Sequence, residues 1–118
     1  MILDGVWATE IMGLFGWDRT GISFLDKGNI LGGSAEFFHH GNYVTEHDNK
    51  VKIRLHIMNH GDKVSIYGEK RSEFSVVIKA TYQEDEIKGH ATLVGARSDD
   101  VRYSCRLLKI GDLPKFPG

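Results

Sequence analysis

The sequence predicts an all-β protein, an eight-stranded antiparallel barrel of the up-and-down type. Apolar and polar residues alternate with a period of two, most clearly in "KVKIRLHIM", where Val51, Ile53 and Leu55 share one face. Short turn sequences separate about eight such segments, so neighbouring strands are expected to form hairpins. Closure of the sheet removes both exposed edges. A sandwich is the alternative, but the chain lacks the long crossovers of a Greek key.

Eight segments are expected as strands in chain order, each bounded by turn-forming residues. They are "GVWATEIM" (5–12), "GISFLD" (21–26), "NILGGSAEFFH" (29–39), "NYVTE" (42–46), "KVKIRLHIM" (50–58), "EFSVVIKATY" (73–82), "EIKGHATLVG" (86–95) and "VRYSCRLLKI" (101–110). The expected turns include "GWDRTG", "DKGN" and "HHGN". Residues 59–72 are interpreted as a long connection with at most one irregular strand or helical turn.

Length and composition indicate one soluble domain over residues 1–118, with residues 111–118 as a C-terminal tail that holds both prolines. No apolar run reaches the length of a membrane helix, and the N-terminus lacks the pattern of a signal peptide. Because Cys105 is the single cysteine, no disulfide framework is possible, and a cytoplasmic location is expected. The net charge of −1 and the mixed charges argue against direct nucleic-acid binding.

Strand parity predicts which side chains face the barrel interior. The inward set is Trp7, Thr9, Ile11, Phe37, Val51, Ile53, Leu55, Phe74, Val76, Ile78, Ala91, Leu93, Tyr103, Cys105 and Leu107. A barrel of eight strands is either just filled by such side chains or holds one small ligand. The sequence leaves both possibilities open.

The stretch "DKGNILGGSAEFFHHGNY" (26–43) combines glycines and histidines, yet it predicts turns and a bent strand rather than a reactive centre. Its glycines fit no phosphate-binding spacing, and Gly28-Asn29 suits a tight turn. His39 and His40 are adjacent in a strand and face opposite ways, so no metal site is expected. His39 shares the parity of Phe37 and is the best single candidate for a residue that would bind a metal or haem. We expect no catalytic residue: Cys105 is placed in the core, and Glu10 and Glu36 are placed outside.

The N-terminal "DGVW" resembles the Gly-x-Trp signature of lipocalin-type barrels, in which the tryptophan plugs the barrel floor. A broader pattern covers about residues 1–70 and consists of Asp4, Gly5, Trp7, Gly21-Ile22, Gly28-Asn29, Gly32-Gly33, Gly41 and Tyr43, with "VSIYG" at 64–68 as a later element. This pattern resembles that of the GrlR family, small bacterial proteins with a lipocalin-like barrel.

The resemblance implies a non-enzymatic, homodimeric regulator that holds a protein partner, such as a transcriptional activator, without binding DNA. In the family, an acidic turn before the central strand is associated with partner capture. The matching stretch "TEHDNK" retains Glu46 and Asp48, with a diluted charge. The alternative is a carrier or sensor that holds a small apolar ligand, or haem, in the lumen. The candidates for contact with such a ligand are Trp7, Phe37, His39, Leu55 and Tyr103, and no cofactor is expected.

Overall fold

The structure, a computed structural model, describes residues 3–61, 72–95 and 102–115. Eight antiparallel strands form a closed barrel in which each strand pairs with its neighbours in sequence and β1 pairs with β8. The predicted fold class is therefore confirmed. No helix in the described residues is long and apolar enough to cross a membrane. The strands are β1 (Gly5–Gly13), β2 (Gly16–Asp26), β3 (Asn29–Gly33), β4 (Phe37–Glu46), β5 (Lys50–Asn59), β6 (Glu73–Gln83), β7 (Glu86–Leu93) and β8 (Arg102–Gly111).

The predicted inward parity is confirmed along the described strands. In β5, Val51 and Ile53 are buried while Arg54 between Ile53 and Leu55 is exposed. The same alternation in the other strands produces one continuous interior cluster. Its buried members are Leu3, Trp7, Leu25, Ile30, Tyr43, Val51, Ile53, Phe74, Val76, Ile78, Ala80, Ile87, Ala91, Cys105 and Leu107.

Two predicted strand boundaries are wrong. The "GWDRTG" segment belongs to β2, and the chain turns earlier, at Leu14 and Phe15. The segment 29–39 is two strands, not one, because the chain reverses at residues 34–36. There the Ser34 amide donates to the Phe37 carbonyl at 2.8 Å, and the Phe37 amide donates to Ser34 Oγ at 3.2 Å.

The "HHGN" segment, expected as a turn, lies inside β4 and pairs with β5. The glycine in this segment serves the packing of two strands rather than a turn. A Cβ at Gly41 would clash with the Arg54 carbonyl of β5. The turn between β2 and β3 is centred on Lys27 and Gly28, which have φ angles of 51° and 87°, rather than on Gly28-Asn29. The residues 62–71 of the long connection lie outside the described residues, and so do residues 116–118 of the tail.

The strand register gives the barrel two distinct ends. The turns at 27–28, 47–49 and 84–85 lie at the end where β1 begins, which we call the floor. Trp7 is packed there, with 1% of its surface exposed, and its indole Nε1 donates to the Leu3 carbonyl at 3.0 Å. Asp4 accepts hydrogen bonds from the Lys27 amide at 3.0 Å and the Tyr43 hydroxyl at 3.1 Å. The N-terminal segment is thereby fastened across the floor.

A buried carboxylate joins β1, β2 and β8 on the outer face. Glu10 faces outward, as expected, but only 8% of it is exposed because two arginines cover it. Its carboxylate accepts hydrogen bonds from Arg106 Nε at 2.7 Å and from Arg19 Nε at 3.3 Å. The Arg106 guanidinium also lies 4.4 Å from the centre of the Trp17 ring. The hydrogen bond from Arg106 is the main reason that the pKa of Glu10 is lowered.

We predict that Glu10→Gln lowers the melting temperature at pH 7 by several degrees, because two neighbouring arginines then lose the buried carboxylate that lies between them. A carboxyl group with a lowered pKa stabilises the fold above its unfolded pKa, about 4.3, and loses this effect as the pH falls through the folded pKa. The deficit of the variant should therefore shrink below about pH 4. Thermal unfolding followed by circular dichroism at pH 7 and pH 3.5 checks this.

The control for that prediction is Glu86→Gln. Glu86 Oε2 lies 3.8 Å from Arg106 Nη1, and the Glu86 side chain is 40% exposed. Glu86→Gln should therefore lower the melting temperature less than Glu10→Gln does. Equal effects of the two substitutions would contradict the role assigned to Glu10.

Candidate functional site

The barrel is hollow at the end opposite the floor. A cavity of about 650 Å³ opens there, within the range of small-molecule sites. Its walls are mainly aliphatic and aromatic, and Asp18, Arg19 and Glu36 stand around the mouth. The apolar lining comes from Ile11, Ile30, Phe37, Ile53, Leu55, Ile57, Phe74, Val76, Ile78, Ala91, Tyr103, Cys105 and Leu107. The lumen is therefore open at this end, whereas the deeper wall residues Ile53, Ile30 and Leu107 are at most 3% exposed.

The wall also carries polar side chains, among them the pair Thr9 and Thr20 and the pair Ser23 and His39. Ser23 Oγ and His39 Nε2 are hydrogen-bonded at 2.7 Å, although the two residues belong to strands that flank β3 on either side. Gly32 lies between them, because it pairs with Ser23 on β2 and with His39 on β4. A Cβ on Gly32 would lie 2.8 Å from His39 Nε2 and would clash with the Ile22 carbonyl. The missing side chain at Gly32 therefore leaves the space in which the pair forms.

His39 is a neutral hydrogen-bonding group in this setting. Burial, and secondarily the nearby His40, lowers the pKa of His39 to about 4, so the imidazole carries no charge at neutral pH. Its Nε2 is taken by Ser23, whereas Nδ1 has no hydrogen-bond partner within residues 3–61, 72–95 and 102–115. A half-buried ring nitrogen beside a cavity is normally satisfied by water or by a ligand. The lumen thus offers one directed polar contact.

The residues predicted from sequence fall into three places. Phe37, His39, Leu55 and Tyr103 all line the cavity. Trp7 is buried in the packed floor and does not line it. Glu46 and Asp48 are exposed near the β4–β5 turn, at the floor end, far along the barrel from the mouth.

Sequence reasoning missed Ser23 and the part played by Gly32. Ser23 is fully buried and has the same parity as the buried Leu25 in β2, so parity alone assigns it to the interior. What the sequence does not show is that β2 and β4 flank the same glycine of β3. That follows only from the register of three strands.

The lumen contains little that supports covalent chemistry. Burial raises the pKa of the Cys105 thiol to about 12, so the thiolate that acts as a nucleophile is scarce at neutral pH. Within the described residues, no group of three or more His, Cys, Asp or Glu side chains could hold a metal ion. The arrangement is suited to holding a molecule by shape, apolar contact and one hydrogen bond.

The fold and the site together define a class, a closed up-and-down barrel with an apolar lumen. A comparison with protein-family models gives no match, and no curated protein matches the chain. The resemblance to the GrlR family therefore stays a prediction from sequence.

We predict that Gly32→Ala destabilises the protein by about 1–3 kcal/mol, because the added methyl group overlaps the Ile22 carbonyl and the His39 ring. It should also separate Ser23 from His39. Urea unfolding measures the first effect, and the NMR signals of the His39 imidazole report the second.

Gly111→Ala is the matched control, since a Cβ at Gly111 meets nothing within 4 Å. If Gly32→Ala is as stable as this control and leaves the His39 signals unchanged, the explanation of the polar pair is wrong.

Proposed function

We propose that the protein is a carrier or sensor that binds one small, mostly apolar molecule in the barrel lumen. The observation that carries this proposal is the mostly apolar cavity of about 650 Å³ with the hydrogen-bonded pair Ser23 and His39 in its wall. Burial of apolar ligand surface contributes roughly 25 cal/mol per Å², so such a wall can bind a molecule without any charge contact. The neighbouring Nδ1 of His39 then fixes its orientation.

The neutral state of His39 narrows the ligand class. A ligand carboxylate placed in the lumen would lose its hydration and gain no ion pair with an uncharged imidazole. A hydroxyl or carbonyl group loses less hydration free energy on entering the lumen, and one hydrogen bond to His39 Nδ1 satisfies it. We therefore favour an apolar molecule with a neutral oxygen. Haem is less favoured, because His39 Nε2 is already held by Ser23.

We predict that Ala91→Phe abolishes ligand binding without unfolding the protein. Ala91 is 7% exposed and lines the cavity, so a phenyl ring there fills the space that a ligand would use. The apolar dye N-phenyl-1-naphthylamine, which fluoresces when it leaves water, is the probe. Its affinity should fall at least tenfold, equivalent to 1.4 kcal/mol or more.

The control is Thr92→Phe, which adds the same ring to the next residue of β7, on the outer face. Both variants are checked for the barrel fold by circular dichroism. If wild-type protein does not bind the dye, or if Ala91→Phe binds it as well as Thr92→Phe does, the lumen is not the binding site.

A second candidate function is regulation through contact with a protein partner, as a cytoplasmic homodimer. It rests on the resemblance to the GrlR family and on the exposure of Glu46 and Asp48 at the β4–β5 turn. Asp48 and Asn49 have φ angles of 61° and 58°, so the turn is tight and presents its acidic side chains to solvent. Because this turn is at the floor end, a ligand in the lumen and a partner at the turn would not compete for space.

We predict that the double charge reversal Glu46→Lys and Asp48→Lys removes a partner that copurifies with the wild-type protein from its native host. The matched control reverses Glu84 and Asp85, which form the exposed β6–β7 turn at the same end of the barrel. Retention of the partner by the first variant would show that the β4–β5 turn is not the contact site.

A further inference from the structure

The outer face of the barrel carries a second concave feature, separate from the mouth and from the β4–β5 turn. Strands β4 to β8 form an open groove of about 1120 Å³ on their outer side. Four of the side chains that line it are the cations Lys52, Arg54, Lys79 and Arg102. His40 and His90 also line it, as does His56, whose two ring nitrogens are already hydrogen-bonded to Ser75 and Glu73. We call this feature the basic groove.

The basic groove is a local excess of positive charge on a protein whose net charge is −1. Among the described residues that line it, none is an aspartate or a glutamate. The ion pair between His56 Nε2 and Glu73 Oε2, at 2.8 Å, involves a histidine of the groove, and no carboxylate of the described residues pairs with the four cations. The fold therefore brings together, on one outer face, cations that are interleaved with other residues in the sequence.

Two of the cations are placed against each other. Lys52 of β5 and Lys79 of β6 are direct cross-strand partners. Like charges directly opposite each other destabilise a sheet, and within the described part of the chain neither lysine has a carboxylate partner. An arrangement that costs stability and is not relieved within the fold is typical of a surface that binds an anion.

The register defines the spacing of the charges. Arg54, Val77, Thr92 and Arg102 occupy successive partner positions on β5, β6, β7 and β8. Neighbouring strands are about 4.8 Å apart, so the two arginine backbones are separated by roughly 14 Å when the path is followed along the curved sheet across three spacings. An extended chain rises about 3.3 Å per residue, and about four residues therefore span the row. The side chains between the arginines, Val77 and Thr92, give the row an apolar centre.

We propose that the basic groove binds an extended acidic segment of a partner protein. The segment would have two carboxylates about four residues apart and one apolar side chain between them. The carboxylates would pair with Arg54 and Arg102, and the apolar side chain would lie on Val77. This surface goes beyond both functions proposed above, since it uses neither His39 nor Glu46 and Asp48.

The composition of the groove favours a peptide over a nucleic acid. Single-stranded nucleic acids stack their bases on aromatic rings, and apart from its imidazoles the described lining of the basic groove has no aromatic side chain. A phosphate backbone would make no favourable contact with the apolar side chain of Val77 at the centre of the row. An acidic segment with an apolar residue uses both the charge and the centre.

The test uses the full chain and three fluorescein-labelled nonapeptides in fluorescence anisotropy at low salt. The first, Gly-Ser-Glu-Ser-Leu-Ser-Glu-Ser-Gly, has the proposed pattern. The second replaces both glutamates by glutamine, and the third replaces the leucine by serine. We expect the first to bind at least tenfold more tightly than the second and several-fold more tightly than the third. Arg54→Glu should weaken binding of the first peptide at least tenfold, whereas Lys27→Glu, at the exposed β2–β3 turn, should not.

A second readout separates a binding role from a structural one. Lys79→Gln should weaken binding of the first peptide several-fold and should also raise the melting temperature, because it removes the repulsion from Lys52. Equal binding of the three peptides, or an unchanged affinity in Arg54→Glu, would overturn the proposal. It would also be overturned if a 20-nucleotide duplex or vesicles with anionic lipid bound more tightly than the first peptide. The proposal would also be overturned if Arg54→Glu changed only the self-association of the protein. In that case a second copy of the chain would occupy the basic groove.

Discussion

The pairing of β1 with β8 is the constraint on which the rest of the structure depends. It joins residues about one hundred positions apart, for example Ile11 with Cys105, and it converts a meander of hairpins into a closed surface. Once the sheet is closed, every strand has an inside and an outside, and the period-two pattern of the sequence becomes a separation of environments. On the outer face, the ion pairs of Glu10 with Arg19 and Arg106 stabilise the pairing of β1 with β2 and β8.

The hollow lumen follows from where large and small side chains fall on that closed surface. At the floor, Trp7, Leu3 and Tyr43 fill the section of the barrel. Towards the mouth the wall includes smaller residues such as Ala91, Ser23 and Gly33, and a cavity of about 650 Å³ is left between the walls. Interiors of folded proteins are normally close-packed, so a cavity of this size is a costly feature in a small domain. Occupation by a ligand would offset that cost.

Much of the fold was predictable from the sequence, because alternation and turn residues act locally. The eight strands, their inward faces and the interior position of His39 all follow from parity. The break between β3 and β4 was not predictable in this way: "GGS" and "HHGN" both look like turns, and only the clash of a Gly41 side chain with β5 distinguishes them. The Ser23–His39 pair and the basic groove depend on the register of three or more strands. The volume of the lumen depends on how opposite walls approach, which no local pattern encodes.

The account assigns separate surfaces to separate tasks: the lumen for a small molecule, and the outer faces for protein contacts. Its central claim is that the lumen is a binding site, and native mass spectrometry of protein freshly purified from its natural host tests this most directly. The account predicts a species heavier than the 13.3 kDa polypeptide by one small ligand per chain, which is lost on denaturation. The same spectrum counts the subunits. A spectrum that contains only the bare polypeptide mass would contradict the claim.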